Sequence, residues 1–263
     1  MNPLNPILII LASALLSACA TSPLGRSQLL MQSESGLATA AIQEYDQMKK
    51  ETPVSKNKAL TAYVQCVVRP LTSEVVGDWE VTLFESEQAN AFALPGGKIG
   101  VYTGMLSVAN NQDRLAAVVG HEIAHVLSHH ANERASAATL ANIGLVVVGI
   151  AANSRNQSNQ LAVAALGLGV QYGIIMPYSR THESEADLLG LDIMAKAGFN
   201  PAEAPKLWEV MKSGKKESIP EWMSTHPSED SRIQALQDRQ GEALSLMQAA
   251  HAAGKHPNCV MPK

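Results

Sequence analysis

His121, Glu122 and His125 stand in the order H-E-x-x-H, inside GHEIAHVLSHH at residues 120–130. On a helix, positions i and i+4 share a face and lie about 6 Å apart along the axis. Two imidazoles so placed can reach one zinc ion at about 2.0–2.1 Å. Glu122 leans toward the same side, within reach of a water at the metal, where it can act as a general base. The surroundings suit this chemistry. Leu115, Val119, Ile123 and Val126 fall on the opposite face, so one side of the helix is apolar and the other carries the ligands. The plainer alternative is a histidine-rich helix face that only meets solvent.

A catalytic zinc takes three protein ligands and keeps one position open. The third ligand must come from elsewhere, and ESEAD at 183–187 is the best candidate. Glu183 and Asp187 are four residues apart and share a helix face, whereas Glu185 points about 200° away from Glu183. Glu183 would bind the metal. Asp187 would accept a hydrogen bond from the free ring N–H of a ligand histidine and so set its tautomer. On local sequence alone, an acidic surface turn of helix is an equal reading. His129 lies one further turn along the ligand face, too far for good ligand geometry, and His182, His251 and His256 show no spacing that argues for a site.

These side chains need a frame. Residues 33–51, 56–75, 110–140, 181–198, 202–214 and 228–254 read as helices, with Asn110 or Asn111 capping the long one that carries His121. Residues 79–86 alternate like a strand. Residues 90–106 read as a strand, a Pro95-Gly96-Gly97 turn, and a second strand or helix entry. The apolar stretches 140–152 and 161–176 are shorter than the roughly 20 residues of a spanning helix and read as core helices or a helical hairpin over the site. His226 precedes Pro227, which predicts an extended residue just before a helix.

Over 263 residues, the 46% apolar and 4% aromatic content favours a mainly helical protein, and a net charge of −4 gives no sign of nucleic-acid binding. Residues 7–16, ILIILASALL, suit a signal-peptide core. They end in Leu16-Ser17-Ala18-Cys19, which resembles a bacterial lipobox, although MNPLNP lacks the usual Lys or Arg. The reading is a signal peptide at 1–18, a lipidated Cys19 with a polar tether to 33, and one domain over 34–263. An ordinary cleaved signal is the alternative. By resemblance to bacterial lipoproteins, Ala20 after the cysteine favours the outer membrane, on its periplasmic face. In that oxidising compartment the remaining pair, Cys66 and Cys259, reads as a disulfide, with two free thiols as the alternative.

Four segments together resemble the M48 zinc metallopeptidases: GHEIAHVLSHH, ESEAD, NAFALPGGKIGVYTGML (90–106) upstream and STHPSEDSRI (224–233) downstream. The likeness runs over about residues 56–240 and is nearer to the exported lipoprotein and periplasmic branch than to the multi-span membrane enzymes. It implies an α+β, mainly helical, zincin-like (gluzincin) fold, with a small sheet packed on the H-E-x-x-H helix. It implies one Zn2+ per chain on His121, His125 and Glu183, with Glu122 as base and Asp187 behind a ligand. Asn90, Ala91, Phe92 and Ala93 could serve as an edge strand on which an extended polypeptide lies, with a buried strand that meets no substrate as the alternative. His226 would lie near the metal, either stabilising the oxyanion or filling the open position to hold the enzyme latent. A helix-capping role is its plainer reading. The partners implied are polypeptide substrates, the membrane through Cys19, and outer-membrane assembly machinery. The leading reading is a zinc endopeptidase that degrades unfolded or misassembled envelope proteins, a role the resemblance implies. Two others compete with it: a chaperone or assembly factor with a latent or structural zinc, and a lipoprotein that docks a partner through its helical C-terminal region.

Overall fold

Helix formation is dictated locally before the core closes around it. Asn57, Asn111 and Ser179 each stand just ahead of a helix and accept hydrogen bonds from its first free N–H groups: Ala59 and Leu60 at 3.1 Å, Arg114 at 2.8 Å and His182 at 3.2 Å. The computed structural model describes residues 19–140, 179–213, 221–226 and 230–262. In chain order it contains β1 (Cys19–Thr21), β2 (Ser27–Leu29), α1 (Glu34–Glu51), α2 (Lys58–Thr72), β3 (Glu80–Phe84), β4 (Ala91–Leu94), β5 (Lys98–Tyr102), α3 (Met105–Val108) and α4 (Gln112–Leu127). After position 179 come α5 (Arg180–Lys196), α6 (Glu203–Ser213), α7 (Glu221–Thr225), α8 (Asp230–Asp238) and α9 (Gln240–Ala252). The described fold is mainly helical with two small sheets. No helix among the described residues is long and apolar enough to cross a membrane. The expected signal peptide at 1–18 and the apolar stretches beyond residue 140 lie outside the described residues.

The backbone divides into two units, Met1–Glu34 with His129–Met176, and Ser35–Ser128 with Pro177–Lys263. In the first unit, residues 19–33 are not a loose tether. β1 and β2 pair as an antiparallel hairpin. Arg26 grips Glu133 with two bonds of 2.6 and 2.7 Å, and the Met31 N–H donates to Ser136 Oγ at 2.7 Å. The polar residues that suggest a tether are instead spent on partners from the helical stretch 130–140.

The second unit holds the larger core. α2 buries Tyr63, Val64, Val67, Val68 and Leu71, a stripe at helical spacing. The three-stranded sheet has the order β3-β5-β4, with β3 parallel and β4 antiparallel to β5. β4 is thus an edge strand, and α4 packs along it. Between β4 and β5 the Gly97 N–H closes on the Leu94 carbonyl at 3.2 Å. Gly96 there takes φ 84°, which a side chain would resist. The C-terminal tail is clamped to the start of α4. The Gln112 side chain donates to the Pro257 carbonyl at 3.1 Å and accepts from the Cys259 N–H at 2.7 Å. A disulfide joins Cys66 to Cys259 across 193 residues of sequence.

Three boundaries differ from the sequence reading. The expected helix over 110–140 stops at Leu127, Ser128 caps it, and His129 takes φ 51° before helix resumes at 130. The left-handed residue ends the helix as a glycine would, so His129 is not a further turn on the ligand face. The helix expected over 228–254 is two, α8 and α9, parted at Arg239. His226 is not extended: its N–H donates to the Trp222 carbonyl at 2.9 Å and continues the turn of α7. The following proline restricts φ and ψ of residue 226 but leaves its own N–H free to make that bond.

Candidate metal centre

Two glycines set the site. Gly120, just before His121, and Gly190 in α5 face each other where the helices cross. A Cβ on Gly120 would stand 2.9 Å from the Gly190 carbonyl oxygen, and one on Gly190 would stand 2.7 Å from the His121 nitrogen. Only bare backbone allows this approach, and it carries Glu183 and Asp187 of α5 up to His121 and His125 of α4. Leu115, Val119 and Ile123 anchor α4 from behind, all fully buried.

The outcome is a buried cluster. His121, His125, Glu183 and His226 each offer a ligand atom, and these atoms lie within 4.8 Å of one another. His121 Nε2 is 3.0 Å from His125 Nε2 and 3.2 Å from His226 Nδ1. Glu183 Oε1 is 3.0 Å from His226 Nδ1 and 3.5 Å from His125 Nε2. Four ligands at zinc's bond length form a tetrahedron with edges of about 3.3 Å. The observed spacings bracket that value, and the donor set of three imidazoles and one carboxylate suits zinc, so the residues present fit the metal.

Around this cluster each group is held by another. His121 Nδ1 lies 3.0 Å from Asp187 Oδ1, which leaves Nε2 turned to the cluster. Burial alone would pull the His121 pKa down, but Asp187 and Glu183 overcome it and push it up to about 9. Burial would raise Glu183, and His121 and His226 instead hold it well below the usual carboxylate range. Glu122 accepts a 2.5 Å hydrogen bond from Trp222 Nε1. Trp222 stacks on Trp208 with ring centres 4.9 Å apart. Arg232 lies 4.0 Å over the Trp208 ring and reaches both Asp187 and Glu183.

The structure brings His121, Glu122, His125, Glu183, Asp187 and His226 together. Ala91, Phe92 and Ala93 lie on the edge strand, with Asn90 just before it. Phe92 is spoken for: it covers Gly100 of β5 and meets Tyr45 and Tyr102 edge-on. Trp222, Trp208 and Arg232 escape the sequence reading. Arg232 lies within the quoted STHPSEDSRI segment, so its position was in view though its contacts were not. The tryptophans carry no local signal.

Comparison with known proteins agrees with this geometry. The model of the family described as Peptidase family M48 matches residues 55–240. The mitochondrial metalloendopeptidase OMA1 of Schizosaccharomyces pombe is 36% identical over 167 residues, 63% of this chain and 48% of that protein. OMA1 of Bos taurus is 32% identical over 251 residues, 86% of this chain and 47% of its own length. The beta-barrel assembly-enhancing protease of Escherichia coli is 26% identical over 210 residues, 76% of this chain and 43% of its own. The chain spans about half the length of these curated relatives. With the matched segment covering the sheet, the H-E-x-x-H helix and both partner helices, the chain belongs to peptidase family M48.

Proposed function

We propose that this chain is a zinc-dependent endopeptidase that acts on unfolded or misassembled envelope proteins. The observation that carries the reading is the buried set His121, His125 and Glu183 with Glu122 beside it. Zinc, when bound, supplies Lewis acidity for an attacking water and a scissile carbonyl. Glu122 takes the water's proton and returns it to the leaving amine. Asp187 keeps the ligand nitrogen of His121 unprotonated toward the site. The edge strand β4 offers backbone groups to an extended peptide, which makes recognition depend on an unfolded segment rather than on one side chain.

His226 is read as a cover. Its Nδ1 stands at the fourth vertex of the cluster, and Trp222, four residues earlier, occupies Glu122. The Trp222 N–H also donates to the Ala89 carbonyl at 3.2 Å, just ahead of β4. A zinc with four protein ligands has no open position, so residues 221–226 must withdraw before substrate enters. The same closed set favours the second reading, a chaperone or assembly factor with a latent or structural zinc. Glu122 weighs against that, since a structural site needs no base.

The lipobox-like Leu16–Cys19 supports anchoring through Cys19 on the periplasmic face of the outer membrane, and the Cys66–Cys259 disulfide suits an oxidising compartment. The name of the E. coli relative supports a link to outer-membrane assembly. The test of activity is proteolysis of an unfolded protein by the zinc-loaded chain beginning at Ala20, beside Glu122→Gln. Cutting by the first and none by the second, with one zinc on each, is the expected result. No cutting by either, with zinc on both and with His226→Ala equally inert, rejects the peptidase reading.

A further inference from the structure

Arg232 sits at the end of the STHPSEDSRI segment, 3% exposed, and no step above uses it. Its guanidinium is fully committed. Nε donates to Asp187 Oδ2 at 2.6 Å and Nη2 to Asp187 Oδ1 at 2.8 Å. Nη1 pairs with Glu183 Oε2 at 2.8 Å. One planar fork therefore grips two carboxylates that stand one helical turn apart on α5. The Trp208 ring backs its face at 4.0 Å.

The two carboxylates do different work. Asp187 Oδ1 meets both Arg232 and His121 Nδ1. Glu183 Oε1 faces His226 at 3.0 Å and His125 at 3.5 Å, while Oε2 lies 2.8 Å from the Arg232 guanidinium and 3.5 Å from His121 Nε2. We infer that Arg232 is a positioning residue that limits Glu183 to one ligand oxygen while holding Asp187 against His121, and so sets the coordination number of the metal. This rests on the metal-site reading given above. A free glutamate can bind a metal through one oxygen or two; the cation beside Oε2 opposes a metal ion there and favours ligation through Oε1. That keeps the total at four with His226 in place, and at three plus an open position once His226 leaves. A lysine cannot replace the fork, because a single ammonium on a flexible stem cannot hold both carboxylates in one plane.

The test uses the full chain loaded with cobalt(II), whose visible spectrum separates four-coordinate from five-coordinate sites, alongside zinc affinity by chelator competition. Arg232→Lys keeps the charge and loses the fork. It is expected to weaken zinc binding about 10–100-fold and to convert the four-coordinate cobalt spectrum toward five-coordinate. Asp187→Asn is the control: affinity falls, but the spectrum stays four-coordinate because Glu183 is still held. Wild-type affinity and spectrum in Arg232→Lys would overturn the inference and leave Arg232 as a packing partner of Trp208. Should Arg232→Lys fail to fold, X-ray absorption of the zinc-loaded wild type decides. Four nitrogen and oxygen ligands support the inference, and a fifth from a bidentate carboxylate overturns it. A wild type that binds no metal would instead sink the metal-site reading itself.

Discussion

The two walls of the metal centre are built differently. His121, His125 and Glu183 stand on α4 and α5, helices of 16 and 17 residues whose crossing is sealed by Gly120 and Gly190. His226 follows α7, a helix of five residues, and meets His121, Glu183 and Glu122 besides its own turn. Trp222 on that turn is buried in the main core, bonds Glu122, stacks on Trp208 and donates its N–H to the Ala89 carbonyl. One wall is two long helices in direct backbone contact; the other is a single short turn. This division teaches how a candidate metal site can be completed from two elements of very different length. Three ligand residues stand on long helices, whereas His226 follows a short one, although both walls are buried.

The largest effect should come from breaking the rigid wall. Gly190→Ala drives a methyl into the His121 backbone, a clash no side-chain rotamer relieves, so the ~1–3 kcal/mol of ordinary overpacking is a lower bound. Loss of cooperative unfolding and of zinc binding is expected; a native melting curve with full zinc would show that the crossing tolerates bulk. Next comes a cut that weakens the frame and spares the site. Cys66→Ser with Cys259→Ser should lower stability by about 2–5 kcal/mol, read from denaturant unfolding, with zinc affinity unchanged. A matching fall in affinity would mean that the tail clamp on α4 shapes the site. On the covering wall, Trp222→Phe keeps a ring on Trp208 and removes the bond to Glu122, a loss of about 1.5–3 kcal/mol for a hydrogen bond to a charged group. Stability should fall while turnover rises, because the base is freed; a fall in both would make Trp222 part of the working site.

The last effect is in pH, and it belongs to the metal-free protein. His121 titrates near 9 when folded against 6.5 unfolded, so its stabilisation is full below 6.5 and is lost as pH climbs through 9. Glu183 is lowered, so its share is present above its unfolded value of 4.5 and is lost as pH falls through the folded one. The melting temperature after metal removal should drop by a few degrees between pH 6.5 and 9, and zinc should erase that slope by displacing the His121 proton. A flat profile without metal would contradict the His121–Asp187–Glu183 arrangement.

How much of this was legible depended on distance along the chain. His121 and His125 announce themselves because helical period alone puts them on one face. Glu183 and Asp187 share that logic within α5. What joins the two pairs is the Gly120–Gly190 crossing, and neither glycine says in sequence which helix it will meet. Arg232 is 45 residues from Asp187, and Trp222 is 100 from Glu122. Such contacts are set by how helices pack, not by any local pattern. The break at His129 was hidden because Ser128-His129 contains no glycine or proline. The hairpin at 19–33 was hidden because three-residue strands are too short for alternation to show.

The central claim is that the rigid wall holds the metal and the α7 wall only covers it. The direct measurement is zinc content, zinc affinity and peptide turnover for His125→Ala and His226→Ala, side by side. His125→Ala should lose both zinc and turnover. His226→Ala should keep one zinc per chain, bind it somewhat less tightly and cut faster than the wild type. If His226→Ala loses zinc as completely as His125→Ala, or keeps it and cuts more slowly, then His226 belongs to the working site and the division between the walls is wrong.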